Sequence, residues 1–115
     1  MLVRAVVYIR RKRFLVYPPA DSKTPVVVVG GITVGGTGKT PVIIALVHAL
    51  TGSGLKVAVV SRGYGGTVID SPQTVSARAS AKAVGDEPRL IALRCDCPVI
   101  VGRDRAAAVR YAERF

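Results

Sequence analysis

Six consecutive residues, Gly35-Gly36-Thr37-Gly38-Lys39-Thr40, hold the clearest chemistry in this chain. Glycines let successive backbone N–H groups curl around an anion with no Cβ in the way. A lysine placed next reaches the β and γ phosphates of a nucleotide, and the threonine hydroxyl after it can ligate Mg²⁺. The turn lies between an apolar run, Pro25-Val26-Val27-Val28-Val29, and a helical pattern from Pro41 to Leu50. Strand, glycine turn and helix make a phosphate-binding loop. The helix N-terminus adds about half a positive charge at the same point.

The pattern departs from the usual one at Thr33, where glycine is expected five residues before Gly38. Val34 stands where P-loop proteins that bind across a dimer carry a lysine, which argues against that subgroup. No third glycine follows Gly38 three residues on, so the dinucleotide fingerprint fails. The alternative is a glycine turn without a ligand. Agreement of strand, loop, Lys-Thr and helix weighs against it.

Elements must hold that loop in place. A first strand is expected at 26–30 and a first helix at 40–51, with Pro41 in its first turn and Gly52 and Gly54 as its stop. A second strand, 56–61, completes a β-α-β unit, so the two strands should run parallel with a right-handed crossover. Arg62-Gly63-Tyr64-Gly65-Gly66-Thr67 leaves the carboxyl end of that strand, where ligands sit in open α/β sheets. A short strand or extended loop is expected within 68–84. Further expectations are a helix from Asp86 to Arg94, a buried strand at 98–102 and a last helix at 105–114. Valine-rich strands without polar alternation suit a parallel sheet covered on both faces. The fold class is therefore α/β.

Ahead of this core, residues 1–16 read as a basic, partly amphipathic helix, and 17–25 as a proline-rich connector. The basic helix suits an anionic membrane surface, or equally a solvated face of an ordinary helix. Residues 26–115 form the phosphate-binding domain. The chain has 115 residues and a net charge of +10, which draws anionic partners. No RNA-type aromatic-basic stretch occurs, so nucleic acid is not an expected partner. No run approaches the roughly 18 apolar residues needed to span a bilayer. Cys95 and Cys97 read as reduced, partly buried thiols.

Only seven residues are acidic, so candidate bases are few. Asp86 could cap a helix or accept a proton from an attacking hydroxyl. Asp104, between two arginines, suggests a local ion pair, although it could also fill the place of a Mg²⁺-ordering carboxylate. His48, mid-helix among apolar residues, reads as structural.

Four segments together resemble tetraacyldisaccharide 4′-kinase, the lipid A disaccharide kinase family. They are Val29 to Pro41, Ser61 to Gly66, Val84 to Pro88, and Val101 to Arg105. Thr33, awkward for a standard P-loop, is what this family carries. The resemblance implies a P-loop NTPase-like fold and transfer of the γ-phosphate of ATP to the 4′-hydroxyl of a tetraacyldisaccharide 1-phosphate, making lipid IVA. It implies that Thr33, Val34, Gly35, Gly36, Thr37, Gly38, Lys39 and Thr40 bind the nucleotide. Asp86 becomes the catalytic base, assisted by Lys39, with Thr40 and Glu87 on the Mg²⁺ side. Arg62, Tyr64 and Arg105 fall near the substrate. The expected cofactors are ATP and Mg²⁺, and the expected place is the cytoplasmic face of a bacterial inner membrane. The family is longer and carries a later Asp-Asp-Gly-Phe-Gln-His segment for Mg²⁺. The chain is therefore expected to be an inactive piece of the kinase core. The runner-up is a non-catalytic nucleotide-binding switch, which has no need of Arg62, Tyr64 and Asp86.

Overall fold

The computed structural model describes residues 22–30, 38–67 and 70–115. The expected helix at 1–16, most of the connector and the loop residues Thr33 to Thr37 lie outside them.

Helix α1 spans Lys39–Gly52. Pro41 sits in its first turn, where a missing N–H costs nothing. At its far end Gly54 takes a φ of 81°. Leu55 N donates to Leu50 O and Gly54 N to Thr51 O, which satisfies the last carbonyls of the helix. Gly52 is thus the last helical residue and Gly54 the stop.

Strand β1 is Val59–Ser61, β2 is Gln73–Thr74 and β3 is Val99–Val101. They form one sheet in the order β1-β3-β2. The β1–β3 pair is parallel, with Val59 opposite Val99, whereas β2 runs antiparallel to β3, with Thr74 opposite Ile100. The α/β class holds, and the sheet carries one antiparallel edge. Two expected strands change. Residues 56–58 stay outside the ladder because the parallel register would set Ala58 against Pro98, which has no N–H to donate. Residues 25–30 form no strand. Val26, Val27 and Val28 are 56%, 69% and 82% exposed. The valine run has strand propensity but pairs with none of the three described strands, and propensity without a neighbouring ladder makes no sheet. The expected β-α-β unit is accordingly replaced, among the described residues, by the parallel pairing of β1 with β3.

Helix α2 is a single turn, Ala81–Val84, capped by Ser80, whose hydroxyl accepts from Ala83 N. Helix α3 spans Asp86–Arg94, and α4 spans Arg105–Ala112. Helix α4 packs on β1 and β3, α3 on β3, and α1 and α2 on α3. The centre of the molecule is β3, whose three residues are fully buried. Val99 and Val101 join Val47, Val75, Val84, Ile91 and Cys95 in one aliphatic cluster. Ile100 alternates to the opposite face. Both faces are covered, which explains the unbroken apolar run of that strand.

Two longer ties fix the periphery. Glu113 accepts from Ser22 Oγ and from Lys23 N, both at 2.8 Å, so the end of the chain holds residues 22–24. The Ser22 hydrogen bond is the chief reason that its carboxyl lies below the usual range. His48 is exposed rather than set among apolar groups. Its Nε2 lies 3.0 Å from Arg94 O, which joins α1 to the end of α3 and keeps the expected structural role.

Cys95 is buried and Cys97 half-buried, both as free thiols. Burial pushes Cys97 up from 9.0 to about 11, helped by the neighbouring Cys95 and Asp96. Burial raises Cys95 as well, against a hydrogen bond from Cys97 that lowers it. The folded chain keeps the Cys97 proton to higher pH than the unfolded chain does. The associated stability is full below pH 9 and is lost as pH rises toward 11. Urea melts between pH 8 and pH 11 should therefore show a shallower loss in Cys97→Ala than in the parent. Equal losses in the two proteins would rule out this coupling.

Candidate functional site

The carboxyl ends of β1 and β3 lie side by side because the two strands are parallel. Gly102 N donates to Ser61 O at 3.1 Å, closing that edge. From it leave the Arg62–Thr67 loop and the turn that enters α4. Open α/β sheets bind ligands at this edge.

Three pieces converge there. The first is the start of α1. Gly38 is its N-cap residue in the left-handed conformation, φ 71°, and no side chain among the described residues caps the helix. A helix start of this kind suits an anion. Lys39 and Thr40 are half-buried in the opening turn. The second is the start of α3. Asp86 and Glu87 occupy its first turn, where the dipole favours carboxylates. Thr40 Oγ1 donates to Glu87 Oε1 at 2.9 Å. This hydrogen bond draws together two residues expected on the metal side, although 47 positions separate them.

The third piece is the Arg62–Thr67 loop. Gly63 N donates to the Ser61 hydroxyl, and Gly66 N turns back to Gly63 O. Thr67 donates from both its N and its Oγ1 to Lys82 O, at 2.8 and 2.9 Å. The loop is thereby laid against the turn between α2 and α3. Tyr64, at its tip, is 92% exposed, and Arg62 is exposed beside it.

Asp86 does not cap its helix. Gly85 holds the N-cap position, with no side-chain hydrogen bond. Asp86 is exposed and has no hydrogen-bond partner among the described residues, which leaves its carboxylate open to an incoming group. Asp104 behaves differently from the expected ion pair. It is the N-cap of α4, and its Oδ1 accepts from Ala107 N at 3.1 Å. That bond ties up an oxygen otherwise offered to a cation. Arg105, the first residue of α4, is exposed. Val34, Gly35, Gly36 and Thr37 lie outside the described residues, as does Thr33.

Mg²⁺ favours hard oxygen donors and keeps several waters beside one or two carboxylates and a phosphate. The Thr40 hydroxyl and the Glu87 carboxylate suit it. Among the described residues no group of three or more His, Cys, Asp or Glu could hold a metal by itself. The pair thus fits a cation that completes its shell with phosphate and water, rather than one in an all-protein cage.

Sequence reasoning missed how the loop docks. The loop's place at the strand end suggests a ligand contact, and nothing in that reading gives its glycines a packing role. The structure uses two of them for close backbone packing. Adjacent glycines beside a third in another segment, Gly85, were the available signal.

The family model of tetraacyldisaccharide-1-P 4′-kinases matches residues 1–115. A tetraacyldisaccharide 4′-kinase from Stutzerimonas stutzeri (strain A1501) is 58% identical over 41 residues, which cover 34% of this chain and 12% of that protein. The crystal structure of LpxK from Aquifex aeolicus in complex with ATP is similar with a TM-score of 0.82 and 28% identity. That match covers 98% of this chain and 37% of the solved one, so the chain spans well under half the length of that relative.

Proposed function

Since this chain belongs to the tetraacyldisaccharide-1-phosphate 4′-kinase family, we propose that it is the nucleotide-binding part of an enzyme that phosphorylates the 4′-hydroxyl of a tetraacyldisaccharide 1-phosphate. The observation that carries this reading is the Thr40–Glu87 hydrogen bond. It joins the helix of the phosphate loop to the helix that begins with Asp86. A nucleotide-operated switch needs the first helix. It has no need of an exposed carboxylate beside it, nor of Arg62 and Tyr64 on the facing loop.

In this reading residues 33–40 wrap the triphosphate, with Lys39 on its β and γ oxygens. Asp86 takes the proton of the 4′-hydroxyl as that oxygen bonds to the γ-phosphorus. The bond from the γ-phosphorus to the β–γ bridging oxygen breaks, and ADP leaves. Thr40 and Glu87 would hold Mg²⁺, which when bound neutralises charge on the phosphate oxygens. By donating its proton to Glu87, the Thr40 hydroxyl is held with its lone pairs free. Arg62, Tyr64 and Arg105 line the acceptor side. The acceptor is an amphiphile, so the enzyme works at the cytoplasmic face of an inner membrane. Residues 1–16 supply a basic docking segment there. No helix among the described residues is long and apolar enough to cross a membrane.

The test is direct. The full-length polypeptide, given ATP, Mg²⁺ and tetraacyldisaccharide 1-phosphate, should yield the bisphosphorylated lipid by mass spectrometry. Absence of that product from well-folded enzyme defeats the proposal.

A further inference from the structure

We propose that Gly66 and Gly85 form a backbone clasp that sets the position of Asp86 relative to the Arg62–Thr67 loop. This deepens the kinase reading and rests on it. Gly85 is the last residue before Asp86 and adopts φ 93°. A Cβ on it would fall 2.7 Å from Tyr64 O. A Cβ on Gly66 would fall 2.8 Å from Ala83 O, from Gly85 N and from the Val84 carbonyl carbon. All of these are main-chain atoms, so no side chain can rotate away to make room. The two segments approach this closely only because neither carries a side chain there. The paired hydrogen bonds from Thr67 to Lys82 O then fasten the contact on its far side.

The consequence lies in what each segment bears. One side of the clasp carries Arg62 and Tyr64. The other side runs straight into Asp86 and Glu87. Their separation is set by the glycine-to-backbone contact, with no side-chain hydrogen bond joining the two pairs among the described residues. A single methyl at Gly66 must push the loop away from the start of α3. Gly66 has no positive φ, so alanine there probes the close approach with little backbone strain. A displacement of about 1 Å at reacting groups can cost on the order of 10²-fold in rate. Gly66 and Gly85 touch no reactant in this scheme. They are positioning residues.

The experiment compares Gly66→Ala with Gly52→Ala in the full-length enzyme. Gly52 ends α1, a Cβ there meets open space, and it takes no part in the site. Gly66→Ala should lower kcat or raise the acceptor KM by about tenfold or more, with nucleotide Kd nearly unchanged and Tm lowered by the forced backbone shift. Gly52→Ala should match the parent in all of these. Parental kinetics in Gly66→Ala, or a loss of nucleotide affinity in step with kcat, overturns the clasp. If Gly66→Ala does not fold, Thr67→Val decides by the direction of the same readouts, since it removes the Oγ1 hydrogen bond to Lys82 O that fastens the contact. Backbone amide NMR gives a readout that needs no catalysis. The Asp86 and Glu87 resonances should shift in Gly66→Ala and stay put in Gly52→Ala. If they shift while the parent makes no lipid product, the clasp stands and only the kinase reading falls. If they do not shift, the clasp is wrong whatever the activity.

Discussion

Asp86→Asn should lower kcat by about 10²- to 10⁴-fold, the usual contribution of a positioned general base. The substitution keeps the size and shape of the side chain and removes its charge. It should cost little stability, because the carboxylate is exposed and makes no capping hydrogen bond. Nucleotide affinity should stay close to the parent's, since the proposed phosphate contacts come from the start of α1. A collapse of Mg²⁺–nucleotide binding in the variant would instead assign Asp86 to the metal and leave the base to another group.

Asp86 also shows what a sequence can and cannot tell. Its place at the start of a helix was readable from Gly85 and Pro88, and α3 indeed runs Asp86–Arg94. Its state was not readable. Capping and catalysis predict the same residue at the same position, and only the absence of a capping bond separates them. Helix α1 was legible for a similar reason. Pro41 and Gly54 punctuate it, and local rules for both ends hold whatever the tertiary context. Strand β3 was legible because a run buried on both faces has to be apolar throughout.

Features that depend on distant partners were harder to read. A short strand or extended loop was expected within 68–84, but its position was not legible: Gln73 and Thr74 are exposed and polar, and they become β2 only because β3 offers its free edge. Val26 to Val28 have the better strand composition and form none, for want of a paired neighbour among the described residues. The Thr40–Glu87 contact depends on how α1 docks on α3, which no local pattern encodes. The glycine clasp belongs to the same class. Two glycine segments some twenty residues apart have to meet before either explains the other.

Lys39→Ala should reduce phosphoryl transfer further than the loss of any single neutral donor would. Removing one hydrogen-bond donor to a developing oxyanion costs about 10²- to 10³-fold. In the proposed mechanism Lys39 adds a full positive charge where the β and γ oxygens gather negative charge in the transition state. A fall of about 10³-fold or more in kcat/KM is therefore expected. The ammonium also meets the ground-state triphosphate, so nucleotide Kd should weaken as well, in contrast with Asp86→Asn. Lys39→Arg separates charge from geometry. Guanidinium is planar and wide, whereas the ammonium of half-buried Lys39 is compact. Arginine should therefore restore nucleotide binding more than it restores turnover. Calorimetry with Mg²⁺–ATP and steady-state kinetics on the two variants make the comparison. Parental turnover in Lys39→Ala would mean that the phosphates do not lie at the head of α1. The roles drawn for Thr40 and Glu87 depend on the same placement and would fall with it.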